Sequence, residues 1–201
     1  KEALDKRGMK YDINEGDGAF YGPKIDFKFK DAIGRTWQCA TIQLDFNLPI
    51  RFDLKYQDKD GELKTPIMLH RVVFGSMERF HGILTEHYAG AFPAWLNPKQ
   101  AAIVPIADRH LEACEGLFKK LKDKGIRVEL DDRSESMNHK IRDCLQNRKI
   151  PYVLVVGDKE IADGTVAVRA RGRGPIGTFS FDDFAQKLEE EIKSKGKTIV
   201  E

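Results

Sequence analysis

Residues Pro66 to Gly90 read P-I-M-L-H-R-V-V-F-G-S-M-E-R-F-H-G-I-L-T-E-H-Y-A-G. Ile67 to Phe74 is an apolar run of strand length, interrupted by His70 and Arg71, and it predicts a buried strand. Gly75-Ser76 breaks it. Ser76 suits a helix N-cap, and Met77, Phe80, Ile83, Leu84 and Tyr88 recur behind it at helical spacing. A strand feeding a helix in this way puts Glu78 and Arg79 at the strand's C-terminal mouth, where α/β proteins commonly hold ligands. The planar guanidinium of Arg79 suits a phosphate or a flat base there, and equally a solvated helix face. His70, in mid-strand, points to one face of the sheet while its neighbours point to the other. It reads as a metal ligand or as a hydrogen-bonded structural histidine.

Upstream, Lys1 to Lys6 reads as the tail of a helix already under way, so the chain is expected to be a piece of something longer. Ile25, Phe27 and Phe29 alternate with polar residues in a half-buried strand up to Lys30. A turn at Ala32 to Arg35 leads into a second strand, Thr36 to Phe46, with Trp37, Cys39, Thr41, Gln43 and Asp45 expected on one face. Together they predict an antiparallel hairpin. Asp60-Gly61 predicts a second hairpin turn before the Pro66 strand. Gln38, Thr41 and Gln43 are polar residues within a strand, for which structural hydrogen bonding is the default reading. Tyr21 and Lys24 flank Gly22-Pro23 in a loop.

Downstream, the Pro-punctuated segment Ala91 to Pro98 marks a junction, placed at Asn97/Pro98. Strands are expected at 100–105, 126–130, 152–156 and 165–171, with helices at 108–124, 136–147 and 181–195. That alternation indicates an α/β layered domain with a largely parallel sheet. Lys140, Arg142, Arg148, Lys149, Arg169, Arg171 and Arg173 form a local basic concentration, which fits a solvated face or an RNA contact. Gly157-Asp158-Lys159-Glu160 reads as a turn directly after a buried strand. A carboxylate there can accept from base edges, and an arginine can read guanine bidentately.

Composition excludes little. Net charge is only +2, with 14 basic and 14 acidic residues before the junction and 20 and 18 after it, so any RNA site must be a local patch. No apolar stretch is long enough to span a bilayer. Three widely separated cysteines argue against a disulfide framework and fit a reducing cytoplasm.

The strings H-R-x-x-x-G-S-M-E-R-F (from His70) and G-I-L-T-E-H-Y-A-G-x-F-P-x-W-L (from Gly82) resemble motif 3 of class II aminoacyl-tRNA synthetases, specifically the threonyl-tRNA synthetase family. The likeness extends through Y-G-P-K-I-D (Tyr21 to Asp26), R-T-W-Q-C-A-T-I-Q-L-D-F (Arg35 to Phe46), K-I-R (Lys140 to Arg142), P-Y-V-L-V-V-G-D-K-E (Pro151 to Glu160) and V-A-V-R (Val166 to Arg169). It implies an α/β (α+β) fold: an antiparallel class II catalytic sheet with helices over residues 1–97, in part, then a mixed-sheet anticodon-binding domain over 98–201.

The resemblance also implies an activity: ATP-dependent formation of threonyl-adenylate and transfer of threonine to tRNA(Thr), with Mg2+ accompanying ATP. It places Gln38, Thr41, Ser76 and Arg79 on ATP, and Tyr21, Lys24 and Gln43 near threonine and the terminal adenosine of tRNA. Arg142, Glu160 and Arg169 fall on tRNA. His70 matches one of three protein ligands of a zinc ion, the other two being expected upstream of Lys1, as are motifs 1 and 2. In the family that zinc takes the amino group and hydroxyl of threonine, which rejects valine; an apolar pocket alone would separate such isosteres by only ~100-fold. A cytoplasmic homodimer is implied for the whole enzyme. Two other readings compete: a non-catalytic tRNA-binding module derived from a synthetase, and a zinc hydrolase built on His70, for which no second ligand stands at the right spacing.

Overall fold

The computed structural model describes residues 1–200. The chain divides into two compact units, Lys1–Leu84 and Thr85–Glu201.

In the first unit α1 (Glu2–Asp5) precedes β1 (Lys24–Lys30) and β2 (Thr36–Asp45). Then follow α2 (Leu48–Arg51), the short hairpin β3 (Tyr56–Gln57) and β4 (Leu63–Lys64), β5 (Met68–Val72) and α3 (Met77–His87). Strands β1, β2 and β5 form an antiparallel sheet in that order. The hairpins and the Ser76 cap are as expected: Ser76 Oγ accepts the Arg79 N–H at 3.2 Å.

Two expectations fail here. The run containing β5 is not buried. It forms the sheet's edge strand, with Leu69 58% exposed, because only one side of it has a strand partner. Nor do Trp37, Cys39, Thr41, Gln43 and Asp45 share a face. The register passes from Phe27↔Ala40 to Lys28↔Gln38 and skips Cys39, so Cys39 is the extra residue of a β-bulge. A bulge shifts the alternation by one residue. Trp37 therefore turns with Phe29 to the apolar face, and Gln38 joins Thr41 and Gln43.

The β1–β2 turn is held by Asp31, which accepts from the Trp37 indole at 2.9 Å, the Arg35 guanidinium at 2.6 Å and the Ile33 and Arg35 amides. The indole bond chiefly, then Arg35, holds its carboxyl down at about 2, against an ordinary 3.8. Between those values the unfolded chain binds more protons than the folded one, so stability rises with pH across the window. We expect urea midpoints of the wild-type chain to fall as pH drops from about 4 to about 2, and Asp31→Asn to flatten that fall. An unchanged slope in the variant would contradict the assignment.

The second unit contains β6 (Ala101–Pro105), a 3-10 turn (Asp108–His110), α4 (Leu111–Asp123), β7 (Val128–Leu130) and α5 (Met137–Arg142), which runs into a π-helical turn. β8 (Tyr152–Val156), α6 (Asp158–Asp163), β9 (Thr165–Ala170), β10 (Gly174–Ser180) and α7 (Phe181–Ser194) complete it. The sheet order is β10-β9-β8-β6-β7. β7, β6 and β8 are parallel, while β9 and β10 are antiparallel additions, giving a mixed sheet. β6 and β8 are buried throughout, as central strands covered on both faces should be. One face packs Ile103, Leu154, Leu121, Phe184 and Leu188; the other packs Val104, Val153, Val155, Ile141 and Cys144.

The junction segment is tied to this second unit. Arg171 donates to the carbonyls of Ala91 and Phe92, Asn97 to that of Lys149, Gln100 to that of Ala94, and Arg127 to those of Trp95 and Asn97. The division into units accordingly falls inside α3, ahead of Asn97/Pro98. The Gly157 turn is also more than a turn, since it opens α6, and β10 has no counterpart among the expected strands.

Candidate functional site

The polar face of the first unit's sheet gathers most of the residues singled out there. Thr41, Gln43 and Asp45 of β2 alternate onto it; Lys24 and Asp26 of β1 lie opposite Gln43 and Thr41, and His70 of β5 pairs with Gln43. The segment before β1 continues the pairing, with Leu44 N–H bonded to Pro23 O at 3.0 Å and Phe46 N–H to Tyr21 O at 3.1 Å. That brings the Tyr21 hydroxyl to Gln43 Oε1 at 3.1 Å and the Tyr21 ring edge-on to His70 at 6.1 Å. Gln38 donates to Thr41 Oγ1 at 3.2 Å, a contact that exists because of the bulge.

Two carboxylates not singled out from the sequence organise this face. Asp26 accepts from Thr41 Oγ1 at 2.8 Å and pairs with Lys24 Nζ at 2.8 Å. Burial pushes its carboxyl up, but Lys24 and Thr41 together outweigh that and leave it below the usual range. The Asp26 hydrogen bond in turn holds the Lys24 ammonium above its ordinary value. Lys24 is thus a fixed cation suited to an anionic ligand and not to proton abstraction.

Asp45, buried, accepts from the Asn47 and Leu48 amides and meets His70 Nε2 at 2.9 Å. Burial raises its carboxyl, and the His70 bond with the two amides outweighs this and lowers it. An ionised carboxylate only accepts, so His70 carries its proton on Nε2 and keeps Nδ1 for another partner. The one available signal for Asp45 was its spacing to Asn47 and Leu48, that of an Asx turn.

A zinc ion does not fit the donor set on this chain. Among the described residues no three His, Cys, Asp or Glu side chains gather to hold a metal, and a zinc site open to substrate needs three protein ligands. Ser76 spends its hydroxyl on the α3 cap and on Glu78 at 2.8 Å. Arg79, in the first turn of α3, is exposed.

In the second unit a cavity of about 350 Å³ is lined by Ile106, Met137, Ile141, Glu160, Arg169 and Pro175 among others. Its lining is mostly apolar, with Glu160 the one acid and Arg169 the one base in it. Glu160 sits in the first turn of α6, where its Oε2 accepts the Gly157 N–H at 3.0 Å. Arg169 projects from β9 between Val153 and Pro175.

The expected basic concentration separates into two kinds. Lys140 is buried on the Asp131 carbonyl, Arg148 pairs with Glu129 and Asp143, and Lys149 bonds to Ala89 O. Arg171 and Arg173 hold main-chain carbonyls, including Phe92 O and Val200 O. Arg142 and Arg169 alone among the seven make no side-chain hydrogen bond or ion pair among the described residues.

These two assemblies are the marks of a known class. Residues 2–88 match the tRNA synthetase class II core domain (G, H, P, S and T), and residues 100–191 match the anticodon binding domain. The chain thus carries a segment of the class II synthetase core and an anticodon binding domain in series. Within that class, the kinship is with threonine–tRNA ligases. The chain is 59% identical to that of Carboxydothermus hydrogenoformans over 97% of its own length, and 56% identical to that of Clostridioides difficile over 99%. It spans 31% of the length of each. The RNA binding domain of threonyl-tRNA synthetase from Cryptosporidium parvum superposes with a TM-score of 0.86 at 39% identity, over 94% of this chain and 48% of that one. Among the described residues no helix is long and apolar enough to cross a membrane, and Cys39, Cys114 and Cys144 are free and buried.

Proposed function

We propose that these residues serve a threonine–tRNA ligase, with residues 1–97 contributing to the catalytic domain and 98–201 reading the anticodon. What carries the proposal is a coincidence of chemistry and kinship. The polar face that the resemblance assigns to the active site is held in place by its own carboxylates, and the two arginines that it assigns to tRNA make no side-chain hydrogen bond or ion pair among the described residues.

In the reaction, a threonine carboxylate oxygen attacks the α-phosphorus of ATP and pyrophosphate leaves. A hydroxyl of the terminal ribose of tRNA, losing its proton, then attacks the threonyl carbonyl and AMP leaves. Gln38, Thr41 and Arg79 orient the nucleotide, and the charge of a Mg2+ ion brought with ATP would offset that of the phosphates. The Tyr21–Gln43 pair and Lys24 orient threonine and the tRNA end. Ser76 acts at one remove, by setting the first turn of α3 and so Arg79. His70 would supply one ligand to a zinc ion, though among the described residues no group of three donors gathers to hold one. The whole enzyme is a cytoplasmic homodimer on this reading.

The test is amino-acid-dependent exchange of pyrophosphate into ATP by the complete protein, with zinc measured by elemental analysis. The expected result is exchange with threonine, at least ~100-fold slower exchange with valine, and about one zinc per chain. Retained tRNA binding without exchange would favour the non-catalytic module instead.

A further inference from the structure

The parallel strands β6 and β8 are neighbours from which the chain leaves in opposite directions along the sheet, β6 toward β7 and β8 toward β9, the crevice where open α/β sheets usually take a ligand. Here the chain's own side chains bridge the loops after these strands. Asp158, the first residue of α6, accepts from Arg109 Nε at 3.1 Å and Nη2 at 2.5 Å, and from His110 Nε2 at 2.9 Å. His110 is 2% exposed. Its Nδ1 accepts the Ala107 N–H at 3.2 Å, which places the ring proton on Nε2, facing Asp158. Arg109 and then His110 hold the Asp158 carboxyl well below the usual range.

We propose that this Arg109–Asp158–His110 brace is a positioning device for Glu160. The proposal rests on the reading of the second-unit cavity as the anticodon site. Three donors on one carboxylate fix the entry of α6 two residues before Glu160. Gly157, between brace and cavity, presses against Ile106: a Cβ there would stand 2.5 Å from Ile106 Cδ1. The Gly157 N–H then holds Glu160 Oε2, leaving Oε1 as the atom offered to a base. The side chains of Arg109 and Asp158 are 67% and 70% exposed, and exposed pairs add little to stability. The consequence of the brace is orientation.

The experiment measures binding of anticodon stem-loop RNA to the full chain by fluorescence anisotropy. The probes are a stem-loop with a threonine anticodon and single-base variants of it. Asp158→Ala, at an exposed position, is expected to leave the melting temperature within about 2 °C and affinity for the single-base variants within about 3-fold. The preference for the threonine anticodon should fall by about 5-fold or more. Asp158→Asn, which keeps an acceptor for His110 but loses the charge facing Arg109, should fall between. In a Glu160→Ala background Asp158→Ala should have no further effect, since both act through one atom. An unchanged preference, or losses that add across the two sites, overturns the brace while leaving the cavity reading in place. So does an equal weakening for every RNA together with a lowered melting temperature. A wild-type chain with no base preference overturns both.

Discussion

Gly22→Ala is expected to lower activity at the first unit's polar face by about 100-fold. A Cβ at Gly22 would stand 2.2 Å from the Leu44 carbonyl oxygen and 3.0 Å from its carbon. Both are backbone atoms of β2, so no rotamer change relieves the clash. The strands must part by about 1 Å, an overlap estimate set against ordinary contact distances. That strains the two hydrogen bonds flanking Gly22, Leu44 N–H to Pro23 O and Phe46 N–H to Tyr21 O, and carries Tyr21 away from Gln43. Two weakened backbone bonds and a displaced loop cost about 2–4 kcal/mol. A misplacement of that size near a reacting group lowers rate by about 100-fold. The complete protein carrying Gly22→Ala should show both effects, in its melting curve and in threonine-dependent pyrophosphate exchange. Gly18→Ala in the same loop is the control, since its Cβ meets nothing closer than 3.7 Å. Exchange within about 2-fold of wild type for Gly22→Ala would show that the close approach is not required.

Arg169→Ala should weaken binding of a threonine-anticodon stem-loop by about 10- to 100-fold, the worth of one bidentate arginine–base contact. The loss should be confined to one anticodon position, because among the described residues Arg169 makes no side-chain hydrogen bond or ion pair to lose. Arg169→Lys should not restore it, since an ammonium lacks the planar fork. Arg171→Ala supplies the contrast. Arg171 bonds the carbonyls of Ala91, Phe92 and Lys149, so its loss should lower the melting temperature and weaken all RNAs alike. Equal, base-independent losses for both variants would contradict the division of the basic residues into structural and free.

That division marks where sequence reading stopped. The seven basic residues look alike in the chain, and only tertiary contacts show that, among the described residues, five are engaged and two are not. The strand alternation that put Thr41 and Gln43 on one face was legible, because a half-exposed strand must alternate. The bulge at Cys39 was not, because one extra residue leaves no compositional trace, and it moved Trp37 and Gln38 to opposite faces. β10 was hidden by Gly174, Pro175 and Gly177, which read as turn residues. They are tolerated because β10 is an edge strand, and its register shifts between Pro175 and Gly177, where a missing N–H breaks no ladder. The buried strands of the second unit were legible in full, since β8 is an unbroken apolar run bounded by Pro151 and Gly157. Asp26 and Asp45 read as ordinary strand carboxylates and carried no role in the sequence. Their importance comes from burial beside Lys24 and His70, which pairing creates and composition does not encode.

The most direct test of the central claim is charging by the complete protein of two tRNA transcripts that differ only in the anticodon. One carries a threonine anticodon and the other a replacement. The account predicts that threonine is esterified to the first, and that the second is charged at least 10-fold less efficiently. It also predicts that Arg169→Ala narrows the difference without altering pyrophosphate exchange. Absence of threonine esterification by the zinc-loaded complete protein, or equal charging of both transcripts, would contradict it.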